Sequence, residues 1–287
     1  MIDHHQPAAD TLAEIEDVAV DLATLAGAEI ERTLGAFSSV RYKTGAGGQV
    51  SLRDPVSEVD GRIEQLIRAR LAEGFPDHDI IGEEMKDRLG REHEYLWAVD
   101  PIDGTTNFVN GFPIFAASIG VLRDGYPVAG AVWCSISHAL RTGVYHARAG
   151  GSLRFERDQV VPKLNPAVQR RLAGVPSARI SEAGAWDTRK TGSAAVECAL
   201  VAAGLLEVAR FAAPNIWDVA GGIALLRASG CAVHRAVDGA WVEMQRFEPM
   251  PGPDGQTDLR HWRNELVVGE PAAVSRMGRQ ARQRDTQ

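Results

Sequence analysis

Two aspartates at the end of an apolar segment are the residues of this chain most suited to chemistry. The segment Leu96 to Val99 is apolar and β-prone, and Asp100 and Asp103 follow it with a proline between them. Because proline fixes its own φ and disfavours the helical region in the residue before it, we expect the strand to stop at Asp100 and the chain to turn. Both carboxylates would then lie on one loop at a strand end.

Small residues after the aspartates predict an anion site. Gly104, Thr105 and Thr106 place backbone N–H groups at the start of a short helix, an arrangement that binds phosphate. Two carboxylates beside such a turn need a counter-charge, and oxygen ligands suit Mg²⁺ or another hard divalent ion. The run therefore indicates metal-assisted phosphoryl chemistry. The alternative is an ordinary surface turn, because Asp, Pro, Gly and Thr are common turn formers.

Three other segments are relevant to such a site. Glu83 and Glu84 follow an apolar pair and a glycine, which usually marks a strand end facing solvent, but beside Asp100 one of them would be a third metal carboxylate. Asp218 stands in the first turn of a predicted helix, where the helix dipole alone explains most acids. The run Thr191 to Ala195 begins a small-residue helix, whose first amides can receive substrate hydroxyls or can simply pack closely.

These motifs together resemble a known family. Trp97 to Phe108, continued by Gly111 to Pro113, is similar to the signature of the inositol monophosphatase family of magnesium-dependent phosphatases. A second signature of that family resembles Trp217 to Gly222, and a third resembles Gly82 to Glu84. The three motifs occur in the family's order. The resemblance runs from about Asp54 to about Gly230 and is weaker in the connection after Gly151.

The resemblance implies a centre of two or three Mg²⁺ ions. Asp100 would bridge two ions. Glu83 and the carbonyl of Ile102 would join it at one ion, and Asp103 with Asp218 would hold the other. No Cys, His or Ser nucleophile is needed in such a centre, because a metal lowers the pKa of an attacking water.

The resemblance also implies roles beside the metal ligands. Asp54 would hydrogen-bond Thr105, and that hydroxyl together with Glu83 would orient the attacking water. The amides of Gly104 and Thr105 would bind the phosphate oxygens. Lys43 would belong with Asp54 to a mobile loop at the site. The implied substrate contacts in the second half of the chain are Gly192, Ser193 and Ala194.

The substrate is less clearly indicated than the reaction. Family members that act on inositol phosphates carry a Glu six residues before the Trp of the second signature, and this chain has Phe211 there, preceded by Arg210. Arg210, if it faces the site, would favour a second phosphate or another acidic group. The segment around it resembles 3′(2′),5′-bisphosphate nucleotidases, whereas Thr106 to Phe108 matches the inositol type. Inositol monophosphate is the favoured substrate. The alternatives are a bisphosphate nucleotide, histidinol phosphate, fructose 1,6-bisphosphate and a scaffold without activity.

Hydrophobic periodicity predicts the elements that must position these residues. A capping-box pattern at Thr11 and Glu14 opens an amphipathic helix that is expected to end near Gly35. Asp124-Gly125 and Asp238-Gly239 predict hairpin turns. The other predicted helices cover about 57–73, 191–203 and 217–230, and the other predicted strands lie near 80–81, 112–122, 126–133, 143–147, 205–211 and 266–268.

The resemblance implies an α+β fold, a layered α/β/α/β/α sandwich of the inositol monophosphatase and fructose-1,6-bisphosphatase type. The chain, 1–287, is expected to form a single domain with two halves, about 1–150 and 151–275. The first half would carry most metal ligands, and the second would carry Asp218 and the substrate side. Residues 276–287 are expected to be a polar, frayed tail.

Composition limits the partners. With 287 residues, 45% of them hydrophobic, the chain can build a core of ordinary size. A net charge of −7 argues against nucleic acid or a membrane surface as the main partner. Three cysteines without paired spacing predict free thiols in a reducing compartment, and no apolar run predicts a signal peptide or membrane span. A cytoplasmic enzyme is expected, and the resemblance adds a homodimer and inhibition by Li⁺.

Overall fold

A computed structural model describes residues 9–35, 40–44, 50–85, 93–162, 167–176, 186–253 and 255–284, with side chains over 11–35, 58–85, 93–162, 167–176, 186–253 and 255–279. The helices are α1 (Ala9–Thr33), α2 (Glu58–Gly74), α3 (Thr105–Val109), α4 (Ala194–Ala202), α5 (Ile216–Ala228) and α6 (Pro271–Arg284), with a 3-10 helix at Leu259–His261. The first nine strands are β1 (Val40–Thr44), β2 (Val50–Ser57), β3 (Asp79–Gly82), β4 (Tyr95–Asp103), β5 (Ala116–Arg123), β6 (Tyr126–Cys134), β7 (Gly143–Arg148), β8 (Arg154–Phe155) and β9 (Asp158–Gln159). The others are β10 (Arg171–Gly174), β11 (Trp186–Arg189), β12 (Val208–Phe211), β13 (Ala232–Val237), β14 (Ala240–Glu243), β15 (Met250–Pro251), β16 (Thr257–Asp258) and β17 (Leu266–Gly269).

Two sheets carry the fold. Strands β3 to β9 form a seven-stranded sheet in sequence order, in which β3 runs parallel to β4 and each later pair is antiparallel. The predicted turn between β5 and β6 is present, with Asp124 and Gly125 at φ 51° and 81°, the positive values that a two-residue hairpin needs. The second sheet has six strands in the order β11-β10-β12-β17-β13-β14.

Helices cover both sheets in five layers. The apolar faces of α1 and α2, including Ile15, Ile30 and Ile63, pack on one face of the first sheet. Helices α4 and α5 fill the space between the two sheets and bury nearly all their side chains. Helix α6 closes the outer face of the second sheet through Val274 and Met277. The predicted α+β layered sandwich is confirmed.

Glycines bring α5 close to the first sheet. A Cβ on Gly120 of β5 would lie 2.5 Å from the amide nitrogen of Gly221, and one on Gly130 of β6 would lie 2.4 Å from the carbonyl oxygen of Gly221. Because no side chain stands between them, the backbone of α5 rests directly on these strands. This contact fixes where the N-terminus of α5, with Asp218, meets the edge of the sheet.

Three local predictions were wrong. Strand β4 continues past Pro101 to Asp103, and an irregularity in its pairing with β5 between Asp100 and Asp103 accommodates the proline. Helix α1 begins at Ala9, so Thr11 lies inside the helix and does not cap it. The segment expected to be a frayed tail is helical to Arg284, because Ala273, Val274 and Met277 give α6 a buried face.

The predicted state of the cysteines agrees with the structure. All three are free, and Cys134 and Cys198 are buried while Cys231 is partly exposed. Among the described residues, no helix is long and apolar enough to cross a membrane.

Candidate active site

Parallel pairing of β3 with β4 brings the first acids together. Gly82 lies opposite Val99 in the register, and the backbone N–H of Glu83 donates to the Val99 carbonyl at 3.3 Å. The ends of two parallel strands therefore meet at one edge of the sheet, where β4 continues into Asp100 and Asp103. Glu83, Asp100 and Asp103 share this edge, as the sequence predicted.

Asp218 joins these acids from the opposite half of the chain. It is the third residue of α5, and its carboxylate accepts hydrogen bonds from the backbone N–H of Asn215 at 2.8 Å and from the Asn215 side chain at 3.1 Å. These bonds cap the helix and explain part of the preference for an acid at this position. They do not explain why the carboxylate faces other carboxylates.

The electrostatics of the cluster are unfavourable without a cation. Burial, with the charges of Glu83, Asp103 and Asp218, raises the pKa of Asp100 well above its ordinary value. Burial and the charges of Asp103 and Glu83 raise the pKa of Asp218 to about 7. Burial likewise raises the pKa of Asp103 to about 7, although hydrogen bonds from Ser193 and Ala195 oppose that shift.

The donor set fits a hard divalent ion in charge and in chemistry. The buried Oδ1 of Asp100 has no hydrogen-bond partner among the described residues, so a lone pair there is left for a cation. Within the part of the chain whose side chains are described, no three His, Cys, Asp or Glu side chains are already grouped so that they could hold a metal. The Oδ2 of Asp103 accepts hydrogen bonds from Ser193 and Ala195. Coordination would therefore require some of these carboxylates to turn.

Thr105 is held by an aspartate that the sequence did not predict. Its hydroxyl lies 3.2 Å from Oδ1 of Asp60 and 2.9 Å from the Ile102 carbonyl. The predicted partner was Asp54, which lies in β2 outside the described side chains, as Lys43 does in β1. Helix α3 lies against β2. Asp60 is fully buried on the apolar face of α2. In the sequence, its position three residues before Ile63 places an acid on the apolar face of the predicted helix, and this pattern could have identified it.

The predicted phosphate turn lies at the end of β4, where Gly104 leads into a short helix. Gly104 adopts φ 90°, and the short helix α3 begins at Thr105. A Cβ on Gly104 would lie 3.1 Å from the Ile114 carbonyl and 3.3 Å from the Gly192 carbonyl, so a side chain there would crowd both. The turn therefore lies directly beside Gly192, one of the three predicted substrate contacts.

Hydrogen bonds hold the Gly192 segment against the first half. The Asn107 side chain donates to the carbonyls of Ile114 at 2.6 Å and Thr191 at 2.8 Å. Ser193 caps α4 and donates to Asp103, and the amide of Ala195 donates to the same carboxylate at 2.7 Å. The predicted segment, Gly192 to Ala194, thus borders the cluster.

The comparisons with known proteins agree with this geometry. The model of the inositol monophosphatase family matches residues 11–250. The chain belongs to the inositol monophosphatase family. It is 32% identical over 230 residues to an inositol-1-monophosphatase of Mesorhizobium japonicum, covering 75% of this chain and 82% of that protein. It is also 32% identical over 244 residues to the chloroplastic phosphatase IMPL1 of Arabidopsis thaliana, covering 79% of this chain but only 64% of that protein's length.

A solved structure supports the fold of this family member. The inositol monophosphatase of Anabaena sp. PCC 7120 superposes with a TM-score of 0.73 at 22% identity, covering 95% of this chain and 97% of that one. A phosphoric monoester hydrolase is the enzyme class that the family and its named phosphatases support. Proteins of this family are in general metal-dependent, which agrees with the acids described above.

The predicted substrate-binding arginine, Arg210, is paired with a carboxylate. The guanidinium of Arg210 pairs with Glu265, with Nε donating to Oε1 at 2.6 Å, so its charge is already matched. Phe211, which replaces the family's acid, is 6% exposed and packs in the central core. A second arginine that the sequence did not single out, Arg263, lies near Asp218 and Glu83.

Proposed function

We propose that this chain is a Mg²⁺-dependent phosphomonoesterase that hydrolyses a small phosphorylated polyol, with inositol monophosphate as the favoured substrate. The observation that carries the proposal is the convergence of Glu83, Asp100, Asp103 and Asp218 on one edge, where burial and mutual repulsion raise the pKa of the three aspartates. A protein bears such an energetic cost where the acids serve a function. Two or three divalent ions would offset it.

The metal ligands in this proposal are the four carboxylates and the Ile102 carbonyl. When bound, divalent ions neutralise a phosphate and lower the pKa of an attacking water. Glu83 and the Thr105 hydroxyl would orient that water, and Asp60 holds Thr105 in place. The backbone N–H groups of Gly104 and Thr105 would receive the phosphate oxygens.

Substrate hydroxyls would meet the segment Gly192, Ser193 and Ala194, which borders the turn. Asp54 and Lys43 stay predicted participants on β2 and β1. A protein nucleophile has little support from the cysteines, because burial raises the pKa of both Cys134 and Cys198.

Asp103 joins the halves of the chain, since its carboxylate from the first half accepts hydrogen bonds from Ser193 and Ala195 of the second. We therefore propose that the halves form one catalytic unit, which separate expression of about 1–150 and 151–287 would test through the loss of activity. A homodimer is proposed from the family resemblance, and sedimentation equilibrium measures it directly.

The deciding experiment is phosphate release from inositol 1-phosphate in EDTA and after Mg²⁺ is restored. The proposal predicts activity only with the metal, and inhibition by millimolar Li⁺. Undiminished phosphate release in EDTA would contradict it. Parallel kcat/KM measurements on inositol 1-phosphate, adenosine 3′,5′-bisphosphate, fructose 1,6-bisphosphate and histidinol phosphate then rank the substrates. Absence of turnover on all four, with Mg²⁺ bound, would favour the scaffold reading.

A further inference from the structure

Two arginines lie between the segments that carry Glu83 and Asp218. The guanidinium carbons of Arg260 and Arg263 stand 5.8 Å and 5.5 Å from the ring centroid of Trp217, the residue before Asp218. Both come from the 3-10 helix and the turn that follows it, close to the C-terminus. Stacking on an aromatic ring fixes the plane of a guanidinium and leaves its edges available for hydrogen bonds.

The two arginines differ in what their donors do. Nη1 of Arg260 donates to the carbonyl of Gly82 at 2.9 Å, so this side chain ties the Trp217 segment to the end of β3. Nη1 of Arg263 donates to the carbonyls of Arg260 at 3.2 Å and Trp262 at 2.6 Å. Its Nε and Nη2 have no hydrogen-bond partner among the residues whose side chains are described. Arg263 therefore has two donors that no described residue uses.

Within the described side chains, the charge of Arg263 is also not matched by a close ion pair. Burial lowers its pKa, and the charges of Asp218 and Glu83 oppose that shift, which places the guanidinium within their electrostatic reach. Neither acid forms an ion pair with it in the described structure, whereas Arg210 is paired with Glu265. If Asp218 and Glu83 give their charge to a metal, Arg263 is left as a partly buried cation beside these two acids.

We propose that Arg263 is a specificity-determining residue, which binds a second anionic group of the substrate beside the acids Asp218 and Glu83. The proposal rests on the proposed phosphomonoesterase activity and narrows its substrate class to phosphate esters that carry another carboxylate or phosphate. A planar guanidinium with two unused donors suits either group, because each presents two oxygens in one plane.

Matched substrates test this directly. Glycerol 3-phosphate and 3-phosphoglycerate are both phosphomonoesters, and they differ in the carboxylate of the second. We expect Arg263→Gln to lower kcat/KM for 3-phosphoglycerate about 10- to 100-fold, mainly through a higher KM. The same variant should change kcat/KM for glycerol 3-phosphate less than about 3-fold. Arg263→Lys should recover part of the loss. Fructose 6-phosphate and fructose 1,6-bisphosphate provide the same comparison for a second phosphate.

Arg246 provides the control variant. Its guanidinium also stacks on an aromatic ring, 5.7 Å from the centroid of Tyr126, but at the far end of the first sheet beside the β5–β6 turn. Arg246→Gln should leave kcat/KM unchanged for both substrates of each pair. Melting temperatures of all variants show whether the fold survives, since loss of stacking on Trp217 also affects stability.

A binding measurement separates this inference from the proposed activity. Propylphosphonate and 3-phosphonopropionate are not phosphate esters, and they differ in one carboxylate. Calorimetry in Mg²⁺ should show that the wild type prefers 3-phosphonopropionate and that Arg263→Gln removes the preference. If the enzyme turns over no ester but this result holds, the anion site stands and the proposed activity fails. Equal losses for both members of each pair, or no preference in the wild type, would overturn the role of Arg263.

Discussion

The acid Glu16 and the four carboxylates of the candidate site have opposite electrostatic environments. Glu16 of α1 is 4% exposed, and it accepts hydrogen bonds from Nδ1 of His146 at 2.7 Å and from Nη1 of Arg148. Burial would raise its pKa, but the bonds from these two cations outweigh burial and lower it. In the carboxylate cluster of Glu83, Asp100, Asp103 and Asp218, burial and neighbouring acids raise the pKa of each aspartate.

The protonation of His146 follows from its partners. Nε2 lies 2.8 Å from the carbonyl of Glu156, so this nitrogen must donate, and Nδ1 faces the carboxylate of Glu16 and donates as well. Both ring nitrogens face acceptors, which favours the imidazolium form, and these bonds raise the pKa of His146 against the lowering effect of burial. The fold supplies its own counter-charge at Glu16. Among the residues whose side chains are described, it supplies none at Asp100, which is the difference expected between a structural acid and a metal ligand.

The largest expected effect is on catalysis. Asp103→Asn and Asp218→Asn should each lower kcat at least about 1000-fold, since removal of one charge from a metal clamp costs roughly 4 kcal/mol of transition-state stabilisation. In EDTA the same variants should unfold at an unchanged or higher denaturant concentration, because each removes a repulsive charge. Steady-state kinetics and urea unfolding measure the two effects. A lower stability with kcat preserved would show that these aspartates are structural.

Glu16→Gln should show the reverse pattern. It leaves His146 and Arg148 without their acid, and breaking one side of a buried ion pair costs about 3 kcal/mol of folding free energy. Activity per folded molecule should stay within about 2-fold of wild type. Asp17→Asn, one residue along the same helix on an exposed position, is the matched control and should change neither quantity. Loss of activity in Glu16→Gln at full stability would remove the contrast between Glu16 and the carboxylate cluster.

Replacement of Asp60, which contacts the Thr105 hydroxyl, should have an intermediate effect on kcat. Because Asp60 accepts the hydrogen bond from Thr105, Asp60→Asn should lower kcat about 10- to 100-fold and change KM little. Asp54→Asn, at the position that the sequence favoured, should lower kcat less than Asp60→Asn does. The two variants measured side by side decide which aspartate acts through Thr105. A larger loss in Asp54→Asn would restore the original prediction.

The smallest expected effect is on the pH dependence of the free energy of unfolding. The folded pKa values of Asp103 and Asp218, about 7, lie above the unfolded value of 3.8, so both groups favour the folded state most at low pH. In EDTA the free energy of unfolding should therefore fall as pH rises from about 4 to about 7, and Mg²⁺ or Asp103→Asn should flatten that fall. Urea unfolding at a series of pH values measures it.

Glu16 contributes in the opposite sense in the acid range. The pKa of Glu16 is lowered from 4.5, so its contribution is present above that value and is lost as pH falls through the lowered pKa. The raised pKa of His146 gives a contribution that is present below 6.5 and is lost as pH rises through the raised value. Comparison of wild type with Glu16→Gln separates the contributions of Glu16 and His146 to the pH dependence of stability from the contribution of Asp103. A pH profile in EDTA that is the same in Asp103→Asn and wild type would contradict the assignment.

The sequence was informative where the chemistry is local. Asp100, Asp103 and Thr105 lie within one short run, and the hairpin turn at Asp124-Gly125 depends on neighbours a few residues apart. Asp60 was missed because its partner is 45 positions away, a pairing that only the packing of α2 against β4 creates. Arg263 had no motif, and its importance depends on the fold bringing the chain near its C-terminus to Trp217.

The errors in predicting the end of β4 and the helix α6 also come from tertiary contacts. Proline ends most strands, but the β4–β5 pair shifts its register between Asp100 and Asp103, and the pairing of Asp103 with Ala116 of β5 keeps the strand to Asp103. Helix α6 has a polar sequence in which a few apolar residues suffice, because the outer face of the second sheet provides the surface that they bury. Both outcomes depend on tertiary contacts that local propensity does not contain.

Proton release on Mg²⁺ binding tests the central claim most directly. Burial and mutual repulsion raise the pKa values of Asp103 and Asp218 to about 7, so this coupled pair still holds protons near pH 7, and an ion that binds the carboxylates must displace a number of them. Calorimetric titration of the wild type with Mg²⁺ in two buffers of different ionisation enthalpy measures that number. We predict saturable binding with release of about one proton or more, and a clear reduction of both in Asp103→Asn and Asp218→Asn. Saturable binding without proton release, or binding that is unchanged in both variants, would contradict the assignment of these acids as the metal site.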